Sequence, residues 1–240
     1  CCMETALKIY RTLFTNEPEL HLDRVAYACS SLARISFHLA ENYRLTNSTY
    51  AAALAFKYAE ELYREALGHF RTLVAKDPDK FSADLAFGCN GLGVFLRIQG
   101  ELDEAEQLHR EALKIRRELA AKYPTVYSAS LASSCNNLAV LLDVREHFPE
   151  AERLYREALN IYLILAEKAP LKYAERQANT ATDLAYLLSR TNREPEADQL
   201  RKEIRSIRHT VPHFPSVEAI EDIDIDLNEA DKLFHQLFDI

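Results

Sequence analysis

A 46-residue repeat runs along most of the chain and limits the folds that are open to it. The segment AEELYREAL at 59–67 returns as AEQLHREAL at 105–113 and as AERLYREAL at 151–159. A weaker copy, ADQLRKEI, begins at Ala197, again 46 residues further on. A second block alternates with the first, since GCNGLGVFL from Gly88 matches SCNNLAVLL from Ser134. Such a period predicts an array of similar units that stack on their neighbours.

Each block has the pattern of an amphipathic helix. In one block, Ala105, His109 and Ala112 follow each other at spacings of four and three residues, which places them on one helical face. A proline then recurs 12 residues after an alanine of this block in four copies. Proline cannot continue a helix, so it marks the passage to the next unit. The repeating unit is therefore predicted to be a helical hairpin, with prolines between hairpins at Pro18, Pro78, Pro124 and Pro170.

The composition agrees with an all-α fold and argues against some classes of binding partner. The 240 residues include only five Gly and eight Pro, and 48% are hydrophobic, which favours helices around a sizeable core. The net charge of -8 argues against nucleic acid, because phosphate contacts need a basic surface. No apolar run approaches the roughly 18 residues that span a bilayer. We therefore expect a cytoplasmic protein that inserts in no membrane.

Three cysteines occupy one column of the repeat, three residues before its first leucine. They are Cys29, Cys89 and Cys135. Successive copies should lie about a helix diameter apart, too far for a disulfide, so they are predicted to be small buried side chains. The chain has no CxxC pair and no HExxH motif. We expect no metal and no cofactor.

Two long runs carry a family resemblance. LGVFLRIQGELDEAEQLHREAL from Leu92 and LAVLLDVREHFPEAERLYREAL from Leu138 resemble tetratricopeptide repeats in an elongated form, as in kinesin light chains and many bacterial proteins. The resemblance implies an all-α, right-handed superhelical solenoid over residues 1–209, with the first helix of each hairpin on the concave face. We expect a lone helix at 3–16 and hairpins at about 22–76, 82–122, 128–168 and 174–209.

The first full hairpin is longer than the others. Fourteen additional residues, at about 40–53, lie around its tip, since Leu32 and Ala59 are 27 residues apart where Leu92 and Ala105 are 13 apart. The Ala-rich flanks predict that both helices continue into a projecting finger. Two interpretations remain open: a neutral insertion, or a partner contact through Tyr43, Arg44 or Tyr50.

Both ends of the chain differ from the array. The first helix lacks a hairpin mate, which indicates either a fragment of a longer array or an end that mediates association. Residues 210–240 are acidic and apolar at once, and an amphipathic helix is predicted after a cap near Asn228. This segment is expected to cap the last repeat; the alternative is that it occupies a groove, in the same molecule or in a neighbour.

The resemblance implies a scaffold that binds a protein or a peptide in the concave groove. The alternative is an assembly or regulatory module that associates through its ends, and we expect no enzyme because no catalytic motif is present. Asparagines in such a groove suit an extended peptide, since an amide both donates and accepts. The predicted groove residues are Tyr27, Ser31, Arg34, Phe87, Asn90, Val94, Arg97, Asn136, Asn137, Val140, Asp143, Asn179, Asp183 and Tyr186.

Overall fold

A computed structural model describes residues 18–210 and, before them, Lys8, Arg11, Thr12 and Thr15, which are helical. Within residues 18–210 the chain forms eight helices and no strand, so the predicted all-α class is confirmed. The lone helix predicted at 3–16 and the segment beyond Thr210 lie largely or wholly outside the described residues. The helices are α1 Pro18–Leu45, α2 Thr49–Lys76, α3 Pro78–Gln99, α4 Leu102–Lys122, α5 Pro124–Val144, α6 Phe148–Lys168, α7 Pro170–Arg190 and α8 Glu194–Thr210.

The chain divides into two compact units. In the described residues, the first unit contains α1 to α3 and ends at Gln99, and the second begins at Gly100 and contains α4 to α8. This boundary falls in the turn of the hairpin predicted at 82–122. In each unit, consecutive helices pack side by side through connections of one to three residues, which is the arrangement of stacked helical hairpins.

Two kinds of turn alternate along the chain. Between hairpins, one residue separates the helices and the next helix begins at the proline itself, at 78, 124 and 170. The helices therefore start four residues before the predicted 82, 128 and 174, because proline suits the first turn, where its missing N–H has no partner to lose. Within hairpins, a residue of positive φ closes the turn: Asn47, Gly100, Glu146 and Asn192.

Repeat columns form the core of the second unit. Ala151 and Ala197, 46 residues apart, are fully buried, and so is Leu184, while Leu138 is almost fully buried. The small alanines let neighbouring helices approach closely, and the leucines fill the space between them. Tyr155 completes this core at the aromatic column of the repeat.

Arginine–glutamate pairs link the second helices of successive repeats on the surface. Arg110 of α4 binds Glu150 of α6, and Arg156 of α6 binds Glu196 of α8; each pair spans 40 residues. In the first unit, Arg11 binds Glu65 across 54 residues. That span exceeds 40 by the length of the insertion, so the pair occupies the same register of the repeat.

The insertion lengthens both helices of the first hairpin. α1 and α2 each have 28 residues, against 21 in α5, α6 and α7. The added turns have a small core of their own, in which Tyr43 packs with alanines of α2. Tyr43 is only 8% exposed, so its proposed role in partner contact is wrong. Tyr50 is 69% exposed, whereas Arg44 is exposed and donates to Glu41 at 2.8 Å.

Candidate functional site

An open pocket of about 230 Å³ lies between α1 and α3 in the first unit. Each wall is one face of a helix, because its residues follow the i, i+3 or i+4, i+7 spacing. Tyr63 of α2 forms the floor. The α1 wall consists of Ser30, Arg34, Phe37 and His38, and the α3 wall of Phe87, Asn90, Gly91 and Val94.

Aromatic packing beneath the pocket holds its walls. The Phe95 ring is almost fully buried and lies 5.7 Å from the Phe37 ring and 5.8 Å from the Tyr63 ring, measured between centroids. Phe56 of α2 adds a further contact at 6.3 Å. Such pairs contribute about 0.5–1.5 kcal/mol each beyond the area they bury. The pocket is therefore formed on a rigid aromatic base.

Gly91 determines how close to α3 the Tyr63 ring, which forms the floor of the pocket, can lie. A Cβ at Gly91 would lie 3.2 Å from a ring carbon of Tyr63, closer than most side chains tolerate. The absence of a side chain thus lets the Tyr63 ring lie against α3. Burial raises the pKa of Tyr63 to about 12, so its hydroxyl stays protonated at neutral pH.

Arg34 supplies the charge of the pocket. It is exposed and forms no ion pair with any residue in the described part of the chain. Partial burial lowers the pKa of His38, and the positive charge of Arg34 lowers it further, while Glu41 opposes both. At neutral pH His38 is therefore uncharged, and the lining carries one positive charge among apolar and neutral polar groups.

Four of the predicted groove residues line this pocket: Arg34, Phe87, Asn90 and Val94. Tyr27 lies elsewhere in the unit, where its ring meets the Phe70 ring at 5.5 Å. Partial burial and a hydrogen bond to Asp84 raise the pKa of the Tyr27 hydroxyl. Ser31 and Arg97 are half-buried and do not line the pocket.

Five lining residues were missed by the sequence analysis, although a signal existed for most of them. Helical spacing from Arg34 places Ser30 and His38 on its own face, and spacing from Phe87 does so for Gly91. Phe37 also lies within reach of this face. Tyr63 comes from the second helix of the hairpin, which a search confined to first helices cannot find.

In the second unit, the predicted residues differ in how far they reach solvent. Asn179 and Tyr186 are exposed, whereas Asn136, Asn137, Val140 and Asp183 are half-buried. The amide oxygen of Asn136 is enclosed, and no group in the described residues donates a hydrogen bond to it. The backbone of a bound peptide therefore cannot reach this oxygen in this conformation, contrary to the expected pairing.

Asp143 is buried and paired within the second unit. Nη1 of Arg190 donates a hydrogen bond to its carboxylate at 2.8 Å. The Arg190 guanidinium also lies 5.8 Å from the centroid of the Tyr186 ring. These contacts join two predicted groove residues through an arginine that the sequence analysis did not single out. Asp143 joins α5 to α7 here and is not an open contact.

Other chemistry is limited in the described residues. Cys29, Cys89 and Cys135 are buried thiols, as predicted for small side chains inside the stack. No group of three or more His, Cys, Asp and Glu in residues 18–210 is placed to hold a metal ion. Among the described helices, none combines the length and the apolar character that crossing a bilayer requires.

The family model for the tetratricopeptide repeat matches residues 87–164. Residues 87–164 carry tetratricopeptide repeats. That segment contains the Leu-small pairs that begin at Leu92 and Leu138 and the alanines at Ala105 and Ala151. No curated protein has a matching sequence.

Several solved structures share this fold. BtubC (BKLC) from P. vanneervenii is 22% identical, with a TM-score of 0.63 over 90% of this chain and 74% of that one. A putative kinesin light chain from Podosopora anserina with nearly identical TPR-like repeats is 19% identical, with a TM-score of 0.53 over 88% and 93%. The apo form of RapI is 15% identical, with a TM-score of 0.54 over 100% and 81%. At these identities the likeness concerns the fold, an all-α repeat solenoid.

Proposed function

We propose that this protein is an interaction scaffold that binds a peptide or a helix of a partner protein in the groove of its first helices. The pocket between α1 and α3 anchors that partner. One observation carries the proposal: Arg34, Phe87, Asn90 and Val94, which the family resemblance assigns to the concave face, line one pocket together. Tetratricopeptide repeats commonly hold protein partners, and the sequence contains no catalytic motif that favours an enzyme.

The lining supports a protein partner of mixed character. Phe37, Phe87 and Val94 offer an apolar surface for a side chain, and Asn90 and Arg34 offer polar groups at its edge. A few polar groups in an apolar concavity are typical of sites that orient a ligand. The net charge of -8 supports a protein rather than a nucleic-acid partner.

Peptide display on the purified chain tests the proposal. Peptides that are selected by wild type should bind Val94→Arg at least tenfold more weakly, because the long charged side chain fills the pocket. The matched control is Tyr50→Ser, which alters an exposed side chain at the hairpin tip of the same unit. Circular dichroism and thermal unfolding should show that both variants fold.

The opposite pattern of binding would contradict this assignment. If Val94→Arg binds like wild type and Tyr50→Ser loses binding, the hairpin tip is the partner site. A second arm tests the second unit by itself, through Asn179→Ala with Tyr186→Ala, whose side chains are exposed on α7. If a partner binds this face of α7, the double variant should bind about tenfold more weakly and keep its stability within about 0.5 kcal/mol per substitution.

A further inference from the structure

The pocket between α1 and α3 combines apolar side chains with one positive charge. Both walls contribute apolar side chains, and Arg34 is the one permanent charge of the lining in the described residues. An exposed guanidinium that pairs with no carboxylate in the described residues and lies beside an apolar cavity favours a ligand with both an aliphatic side chain and a carboxylate. The chain as a whole is acidic, so it contains segments that carry both aliphatic side chains and carboxylates.

Residues 220–227 combine these two features most densely. The sequence is IEDIDIDL, with four aliphatic residues, four carboxylates and no basic residue. Every aliphatic side chain there has a carboxylate as its direct neighbour in sequence. In an extended peptide, neighbouring side chains point to opposite sides, so one isoleucine can enter a cavity while an adjacent carboxylate stays at its rim.

We infer that residues 220–227 of the same chain bind in the α1–α3 pocket as an internal ligand that competes with the external partner. An isoleucine lies between Phe37, Phe87 and Val94, and a neighbouring carboxylate pairs with Arg34. The inference rests on the proposed function, because it assigns an occupant to the same pocket. Its consequence is regulatory: partner binding requires displacement of the segment.

Site-specific crosslinking in the full chain tests the contact directly. Phe87 is 52% exposed and is replaced by the photoreactive aromatic residue p-benzoylphenylalanine, which preserves an aromatic wall. After irradiation, mass spectrometry should locate crosslinks within residues 218–229. Arg34→Glu should reduce their yield at least fivefold, because the new charge repels the segment. The matched control, Arg44→Glu on the same helix, should leave the yield unchanged.

An equal mixture of light and heavy isotope-labelled chains distinguishes the two sources of the segment. Crosslinks that join only light to light and heavy to heavy support an internal ligand. Crosslinks that join light to heavy at the statistical ratio would overturn it in favour of a second copy. Crosslinks that map outside residues 211–240 would also overturn it.

Competition with a synthetic peptide gives a second readout. The labelled peptide VEAIEDIDIDLN, residues 217–228, should bind the full chain carrying Ile223→Ser and Ile225→Ser at least tenfold more tightly than it binds wild type, whose pocket is occupied. A peptide with serine at the same two positions is the control and should not bind. Equal binding of the first peptide to both chains would contradict occupancy.

The inference and the proposed function can fail separately. If peptides selected by display depend on Val94 but no crosslink reaches residues 218–229, the pocket binds partners and the internal ligand is wrong. If neither the selected peptides nor the internal peptide responds to Val94→Arg, the pocket itself is not the site.

Discussion

Arg190 donates a hydrogen bond to the carboxylate of Asp143 over 2.8 Å, although Asp143 is only 8% exposed. The arginine lies at the end of α7, and its guanidinium is also 4.9 Å from the centroid of the Phe148 ring. Burial raises the pKa of Asp143, and the charge of Arg190 offsets only part of that effect. The pair thus joins α5 to α7, but it keeps an ionised carboxylate where little water can solvate it, and this desolvation is unfavourable.

Asp143→Asn should change how stability depends on pH. The pKa of Asp143 is higher in the folded state than in the unfolded state, so protonation of Asp143 stabilises the folded state. This contribution to the free energy of unfolding is fully present below the unfolded pKa of about 3.9, and it is lost as pH rises through the folded pKa. The stability of wild type relative to Asp143→Asn should therefore fall as pH rises from about 3 to 7. At pH 7 the variant should be within about 1 kcal/mol of wild type, or more stable, since asparagine still accepts from Arg190.

Urea unfolding at several pH values measures this difference. Asp198→Asn is the control, because this carboxylate is exposed on α8 and pairs with Arg201 at 2.8 Å. A constant difference between wild type and Asp143→Asn across the pH range would contradict the prediction.

Glu146→Gly should stabilise the chain by about 0.5–1 kcal/mol. Glu146 adopts a φ of 62°, at the turn position where Gly100 and Asn192 stand 46 residues to either side. A side chain with a Cβ is strained in this left-handed conformation by about 1–2 kcal/mol, and glycine is not. Thermal and urea unfolding measure the gain.

Two matched variants isolate the backbone effect in this turn. Glu146→Ala removes the same carboxylate but keeps the Cβ, so it should give no gain. Gly100→Ala should destabilise by about 1 kcal/mol, and a Cβ there would meet nothing within 4 Å, so strain alone accounts for the loss. Equal gains from Glu146→Gly and Glu146→Ala would show that removal of the charge was the cause.

Arg110 and Glu150 should be coupled by about 0.5–1 kcal/mol in a double-mutant cycle. The pair is bidentate, with contacts of 2.8 and 3.0 Å between nitrogen and oxygen, which is the favourable geometry for guanidinium and carboxylate. Both side chains are exposed, so the coupling should decline toward zero in 1 M salt. Arg153 lies 3.8 Å from the same carboxylate and serves as the control, with a smaller coupling expected.

Cys29 and Cys135 should resist alkylation in the folded chain. Both are fully buried, and burial raises the pKa of each thiol to about 12. The reactive thiolate is therefore scarce at pH 8, and a reagent cannot reach it without local opening. Peptide mass spectrometry after iodoacetamide should show modification of these two residues only in denaturant. Rapid modification in the native state would indicate that the helices around them open.

The sequence by itself predicted the repeat, the hairpins and much of the pocket. The 46-residue period identifies which residues share a column, and 3.6-residue helical spacing identifies which share a face. Together with the family resemblance, which assigns one face of the first helices to the groove, these two periods select Arg34, Phe87, Asn90 and Val94. The right-handed superhelix, and groove binding itself, stay expectations of the family resemblance.

The tertiary structure decided which of those side chains remain open to solvent. Asp143 occupies a repeat position that predicts a groove residue, yet Arg190 from the next repeat covers it. Tyr43 lies in the insertion, where an exposed side chain was expected, yet alanines of α2 enclose it. Tyr63 enters the pocket from a second helix because Gly91 leaves room for its ring. Periodicity assigns a direction to each side chain, but exposure depends on which neighbour is packed against it, and that is set by contacts between residues distant in sequence.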